Sequence, residues 1–147
     1  MSAENTSIED SDVLHRSCLC RAVTYEVRGG VGNVLHCHCS MCRKAHGAAF
    51  GTYAPVGWSA FTFVRGEDMV QRYRSSDDVH RSFCSVCGST LQFIREGRAG
   101  FALAVGTLDS DPIRRPTAQI FAAHKAPWWD LPDSPPAYDT YPSQQPD

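Results

Sequence analysis

The sequence lacks the features that would carry a chain into or across a membrane. Its apolar residues nowhere run for the about 18 positions that a spanning helix needs. The first segment, Met1 to Asp12, is acidic and polar. It offers neither the apolar stretch of a secretory signal nor the Arg-rich composition of a transit peptide. A basic excess is also missing: 14 Lys and Arg stand against 16 Asp and Glu, a formal charge of -2. Net charge therefore gives no reason to expect a nucleic-acid partner, and we expect no membrane partner either. No repeat recurs at solenoid spacing. The 7 cysteines are an odd number, which excludes complete pairing into intramolecular disulfides. A C-x-C pair is moreover a poor disulfide, because side chains so close on an extended strand point apart. These absences suggest a reducing, cytoplasmic setting.

What remains is an ordinary globular composition, 42% hydrophobic and 20% charged over 147 residues. That length suits one domain with a real core. Residues 1–13 read as a disordered leader, 14–131 as the domain, and 132–147, rich in Pro, Ser and Asp, as a flexible tail. Between them the pattern is mainly β. Val23, Tyr25 and Val27 alternate with polar neighbours, and Gly29-Gly30 closes that strand. Short strands are expected over 48–53, with Pro55 and Gly57 as breakers, then over 59–64, 69–74, 79–83, 89–94 and 101–105. A last short strand is expected over 119–123. Arg43 to His46 reads as one helical turn stopped by Gly47.

The cysteines are spaced as metal ligands. Cys37, Cys39 and Cys42 form C-x-C-x-x-C, and one tight turn can aim all three sulfurs at a point. Cys18 and Cys20 form C-x-C, and Cys84 and Cys87 form C-x-x-C. Thiolates in a tetrahedron suit Zn²⁺, so the second set closes a structural site and the first leaves one corner open. Seven thiolates and two Zn²⁺ would move the net charge by about -3. The open corner suits a small thiol, whose pKa the metal would lower and whose sulfur could attack an aldehyde carbon. Cys37, Cys39 and Cys42 are thus the candidate catalytic ligands, with His46 as a proton shuttle. Other readings compete: a Cys3His structural site completed by His36, His38 or His46, a redox cluster, or a zinc knuckle that presents Arg43-Lys44. In an extended C-x-C, His36 and His38 point away from the ligands. Trp128 and Trp129 could wall a pocket or pin the C-terminal segment.

Ser17-Cys18-Leu19-Cys20, the run Leu35 to Gly47, Phe83 to Ser89 and the ending Ile120 to Trp128 resemble the glutathione-dependent formaldehyde-activating enzyme family, which is related to centromere protein V. The resemblance runs from about Cys18 to Trp128. It implies an Mss4-like fold of several coiled antiparallel β-sheets, stabilised by zinc. It implies a structural zinc on Cys18, Cys20, Cys84 and Cys87, and a second on Cys37, Cys39 and Cys42. Glutathione would bind near the second, with Lys125 and Trp128 among its contacts. The implied reaction joins glutathione and formaldehyde into S-hydroxymethylglutathione, a carbon–sulfur lyase activity. The non-enzymatic alternative is a glutathione carrier or a zinc-stabilised interaction module, and a homo-oligomer is compatible with either. The sequence departs from the family's usual look at Arg21, where glycine is common, at Gln119, where histidine is frequent, and at His124, where serine is frequent.

Overall fold

Strand pairing grows directly out of the alternation of apolar and polar residues. A computed structural model describes residues 13–142, so the expected leader lies almost wholly outside it. β1 (Val13–Ser17), β2 (Thr24–Arg28) and β5 (Phe61–Arg65) form a three-stranded antiparallel sheet in the order β1-β2-β5. The other strands are β3 (Val34–Cys37), β4 (Gly51–Gly57), β6 (Val70–Ser76), β7 (Val79–Cys84), β8 (Thr90–Arg95), β9 (Gly100–Ala104) and β10 (Pro116–Ile120). They form one sheet in the order β10-β3-β4-β9-β8-β7-β6. Its pairs are antiparallel except β10 on β3, which run parallel. Mainly β, built of antiparallel sheets, is the class the sequence implied. No helix of the described residues is long and apolar enough to cross a membrane.

The two sheets meet through buried side chains, of one parity in β2 and in β9 but not in β8, where a register shift lets Leu91 and Ile94 both turn inward. Leu14, Tyr25 and Val27 from the small sheet are buried with Val56, Leu91, Ile94, Phe101 and Leu103 from the large one. Cys18 and Cys84 belong to the same cluster, so the candidate four-cysteine site sits in the core that joins the sheets. A second cluster gathers Cys37, Cys42, Tyr53, Ala118 and Ile120 around the other cysteine motif.

Three expected boundaries move, for identifiable reasons. Pro55 does not break β4. β3 pairs with β4 only as far as Tyr53, so Pro55 sits where that side of the strand has become an edge and needs no donor. Gly32 closes the gap there, donating to the Pro55 carbonyl at 2.9 Å, and a Cβ on it would lie 2.4 Å from the proline ring. Trp58 to Ala60 form a 3₁₀ turn ahead of β5 rather than strand. β10 begins at Pro116, earlier than 119, because its partner is β3 and not a hairpin neighbour.

The segment expected to be a flexible tail also differs where it is described. Residues 132–142 lie along β10, with Gln119 N donating to the Pro136 carbonyl and Tyr138 N returning to the Gln119 carbonyl. The reason is the outer edge of β10, whose amides need acceptors that a polar tail with open carbonyls can supply.

Candidate metal centres and an adjoining cavity

The first centre is assembled from two turns distant in sequence. Cys18 lies just past the end of β1 and Cys84 ends β7. The Sγ atoms of Cys18, Cys20, Cys84 and Cys87 all lie within 4.8 Å of one another. Cys18 to Cys20 is 3.6 Å and Cys20 to Cys84 is 3.8 Å. Four sulfurs bound to Zn²⁺ at about 2.3 Å would stand about 3.8 Å apart along the tetrahedron's edges, so this set fits the ion. The same distances exclude disulfides, and all 7 cysteines are free thiols. The turn geometry explains two residues. Gly88 adopts φ +81, and a Cβ there would meet nothing within 4 Å, so conformation rather than crowding calls for glycine. Arg21 adopts φ 66, the left-handed region that makes glycine the usual choice. Cys87 is held down to about 5, chiefly by its hydrogen bond with the Ser89 hydroxyl, which favours the ligand form.

The second centre uses a helix start. β3 ends at Cys37, fixed by pairing with Gly51 on one side and Ile120 on the other. Cys39 then caps α1 (Ser40–His46), its Sγ accepting from Cys42 N at 3.3 Å. Gly47 ends the helix at φ 60, its N–H reaching the Arg43 carbonyl. This strand–cap–helix path brings the sulfurs of Cys37, Cys39 and Cys42 within 4.8 Å of one another. No fourth His, Cys, Asp or Glu among the described residues joins that set. Hydrogen bonds from the Cys37 and Cys42 thiols hold Cys39 down to about 2, and the same sharing pushes Cys37 up. The hydrogen bond from Cys37 lowers Cys42, but its neighbour Cys39 and burial outweigh it and push Cys42 up as well, so of the trio Cys39 alone favours the thiolate.

One side of the trio opens into a cavity of about 390 Å³. Leu35, Val79, Phe93, Ile120, Phe121 and Tyr141 give it apolar walls. Arg81, Arg95 and His124 are its basic groups, and among the described residues no carboxylate lines it. Arg81 is the pivotal one. It is 8% exposed, and both terminal nitrogens lie 3.8 Å from Cys42 Sγ. Its NH1 donates to the Tyr53 hydroxyl at 3.2 Å and its Nε to Ser75 at 3.1 Å, while Cζ stands 5.0 Å over the Phe93 ring. Burial lowers this guanidinium, and its neighbours Tyr53, Cys42 and Cys39 more than restore it. Burial also pushes Tyr53 up, with Cys42 adding to the effect, so its hydroxyl keeps its proton.

The candidates named from sequence fall at different places. His46 does not line this cavity. It faces a second, polar cavity of about 400 Å³ and reaches the first only through Tyr53, whose hydroxyl lies 2.8 Å from Nε2. His36 pairs with Thr52 at 2.9 Å, and His38, fully buried, with Gln119 at 3.2 Å. Lys125 and Trp128 are not brought to the cavity either. Lys125 Nζ donates to the carbonyls of Ala126 and Trp129, and Trp128 is 68% exposed. Sequence reasoning missed Arg81, Tyr53, Phe121, His124 and Tyr141. Arg81 alone carried a signal: it shares the inward parity of Val79 and Phe83 on β7, an odd place for a charge.

Two comparisons bear on this arrangement. The family model described as glutathione-dependent formaldehyde-activating enzyme matches residues 13–124. A crystal structure of a Rhodobacter sphaeroides protein has a similar fold, with TM-score 0.56 and 23% identity. The match covers 66% of this chain and 89% of that one.

Proposed function

Since the chain belongs to the glutathione-dependent formaldehyde-activating enzyme family, we propose that it is a zinc-dependent carbon–sulfur lyase acting on adducts of glutathione with a small aldehyde. The observation that carries this reading is the trio Cys37, Cys39 and Cys42, three sulfurs without a fourth protein ligand among the described residues, at the wall of a cavity. Zn²⁺ on these residues would supply a Lewis acid that holds a guest thiol as thiolate near neutral pH. Cys18, Cys20, Cys84 and Cys87 would hold a second, structural Zn²⁺.

The protein's own groups do the rest. Glutathione sulfur attacks the aldehyde carbon, a C–S bond forms, the carbonyl π pair moves to oxygen, and that oxygen takes a proton. The reverse path expels the thiolate and frees the aldehyde. Tyr53, a wall residue whose hydroxyl stays protonated, donates a hydrogen bond that stabilises that oxygen while it takes up the proton the thiol gave up. Its hydroxyl accepts from Arg81 and meets neutral His46 on its other side, which connects it to the second cavity. His46 thus acts through Tyr53 and not on the substrate. Arg81 keeps a positive charge beside Cys42 and limits the repulsion among the thiolates. Its charge and that of Arg95 suit the carboxylates of the tripeptide.

Exchange between glutathione, formaldehyde and their adduct, measured by magnetisation-transfer NMR, tests the proposal. The protein should exceed the buffer rate, Cys42→Ser should abolish the excess at preserved fold, and Tyr53→Phe should lower it by about a hundredfold. Equal rates for protein, variants and buffer would end the enzyme reading. Glutathione binding without turnover would leave a carrier.

A further inference from the structure

The residues beyond the family match do not leave the site. The match ends at residue 124, yet the chain returns along β10 and delivers a ring to the cavity. Gln119, 1% exposed, anchors the return: Nε2 donates to the Pro132 and Pro135 carbonyls at 3.3 and 2.9 Å. Backbone bonds from Phe121 N to the Thr140 carbonyl and from Ala122 N to the Tyr138 carbonyl continue it. At its end the Tyr141 ring stands edge-on to Phe121, 5.1 Å between centroids. Both rings line the cavity that holds the three sulfurs.

A hydroxymethyl group contributes one carbon to an adduct. It would leave the faces of Phe121, Tyr141, Ile120 and Phe93 against water, which is unfavourable for apolar walls. An alkyl or aryl substituent on the same sulfur would cover them. Building on the thiol–aldehyde reading, we propose that the strap 132–142 completes the substrate cavity and that Tyr141 selects glutathione adducts of alkyl or aryl aldehydes over that of formaldehyde. The chemistry is unchanged: the thiol sulfur bonds to the aldehyde carbon and the thiol proton ends on the former carbonyl oxygen, with no oxidant or reductant.

The test is calorimetric titration of the zinc-loaded full chain with glutathione, S-methylglutathione and S-benzylglutathione, the last two being stable thioethers that differ only in the substituent. The benzyl thioether should bind at least about tenfold more tightly than the methyl one. Tyr141→Ala should cut that preference to about threefold or less while S-methylglutathione changes by less than about twofold; Tyr141→Phe should keep it. Glutathione binding with no benzyl preference, or a preference untouched in Tyr141→Ala, overturns the role of Tyr141 and leaves the thiol reading standing. Failure of all three ligands to bind overturns both.

Discussion

Removing the charge of Arg81 should weaken one metal centre and spare the other. The guanidinium nitrogens stand 3.8 Å from Cys42 Sγ, and the side chain is almost wholly buried. At that distance, with an effective dielectric constant near 20, attraction to one thiolate is about 4 kcal/mol, or about a thousandfold in affinity as a ceiling. Groups that support metal ligands from behind are typically worth about ten- to a hundredfold. We expect Arg81→Met to reduce zinc affinity at Cys37, Cys39 and Cys42 by about a hundredfold. Methionine preserves the packing over Phe93 and so isolates the charge. Arg81→Lys should recover only part of the loss, since it keeps a charge but cannot reproduce the forked contacts with Tyr53 and Ser75. Competition with a chromophoric chelator reads both centres in one titration, and the four-cysteine centre is the internal reference. Two unchanged release steps, or two steps shifted equally, would refute the assignment of Arg81 to the open centre.

The same geometry sets further expectations. Cys84 is fully buried where the sheets meet, so Cys84→Ser should lower the melting temperature by more than about 10 °C and remove one equivalent of zinc; a variant melting within about 2 °C of the parent with full metal would contradict this. Gln119→Leu removes the acceptor of His38 and the donors to Pro132 and Pro135, and should cost about 2 kcal/mol in urea unfolding while exposing 132–142 to proteases; unchanged cleavage would sink the strap's anchoring. Burial lowers His36, His38 and His46 from 6.5, assisted in His36 by His38 and in His46 by Arg81. The unfolded chain therefore binds more protons just below pH 6.5, and stability should fall as pH drops from 6.5 toward the depressed folded values. Urea midpoints that stay flat or rise between about pH 7.5 and about pH 5.5 would contradict that sign.

The parts of this molecule legible from sequence are those written in local spacing. Cys37, Cys39 and Cys42 are close enough along the chain for one turn to gather them, and the structure gathers them. The alternation of Val23, Tyr25 and Val27 forecast β2 because a strand with one buried face must alternate. Leu91 and Phe93, expected on one face of β8, instead join different clusters, because a register shift at Leu91 breaks the alternation. What spacing could not convey were contacts between distant segments. His124 and Tyr141 reach the cavity only because β10 pairs parallel with β3, a partnership with no turn between its strands to announce it. Lys125 and Trp128 were natural ligand contacts beside a motif, yet past the 3₁₀ turn at Ala122–His124 the Lys125 amine is spent on the Trp129 carbonyl. Proline in β4 misled for the converse reason: whether it breaks a strand depends on how far a neighbour extends.

The parallel pairing of β3 with β10 has a consequence for synthesis. A nascent chain emerges amino end first, so Cys18, Cys20, Cys84 and Cys87 are all outside the ribosome once residue 87 has cleared the tunnel. The other centre is then still roofless. Cys37 waits for Ile120 to dock beside it, and Phe121, His124 and Tyr141 arrive last of all. The two centres mature in a fixed order, and the three sulfurs meant to receive a guest spend most of translation open to any passing metal or oxidant.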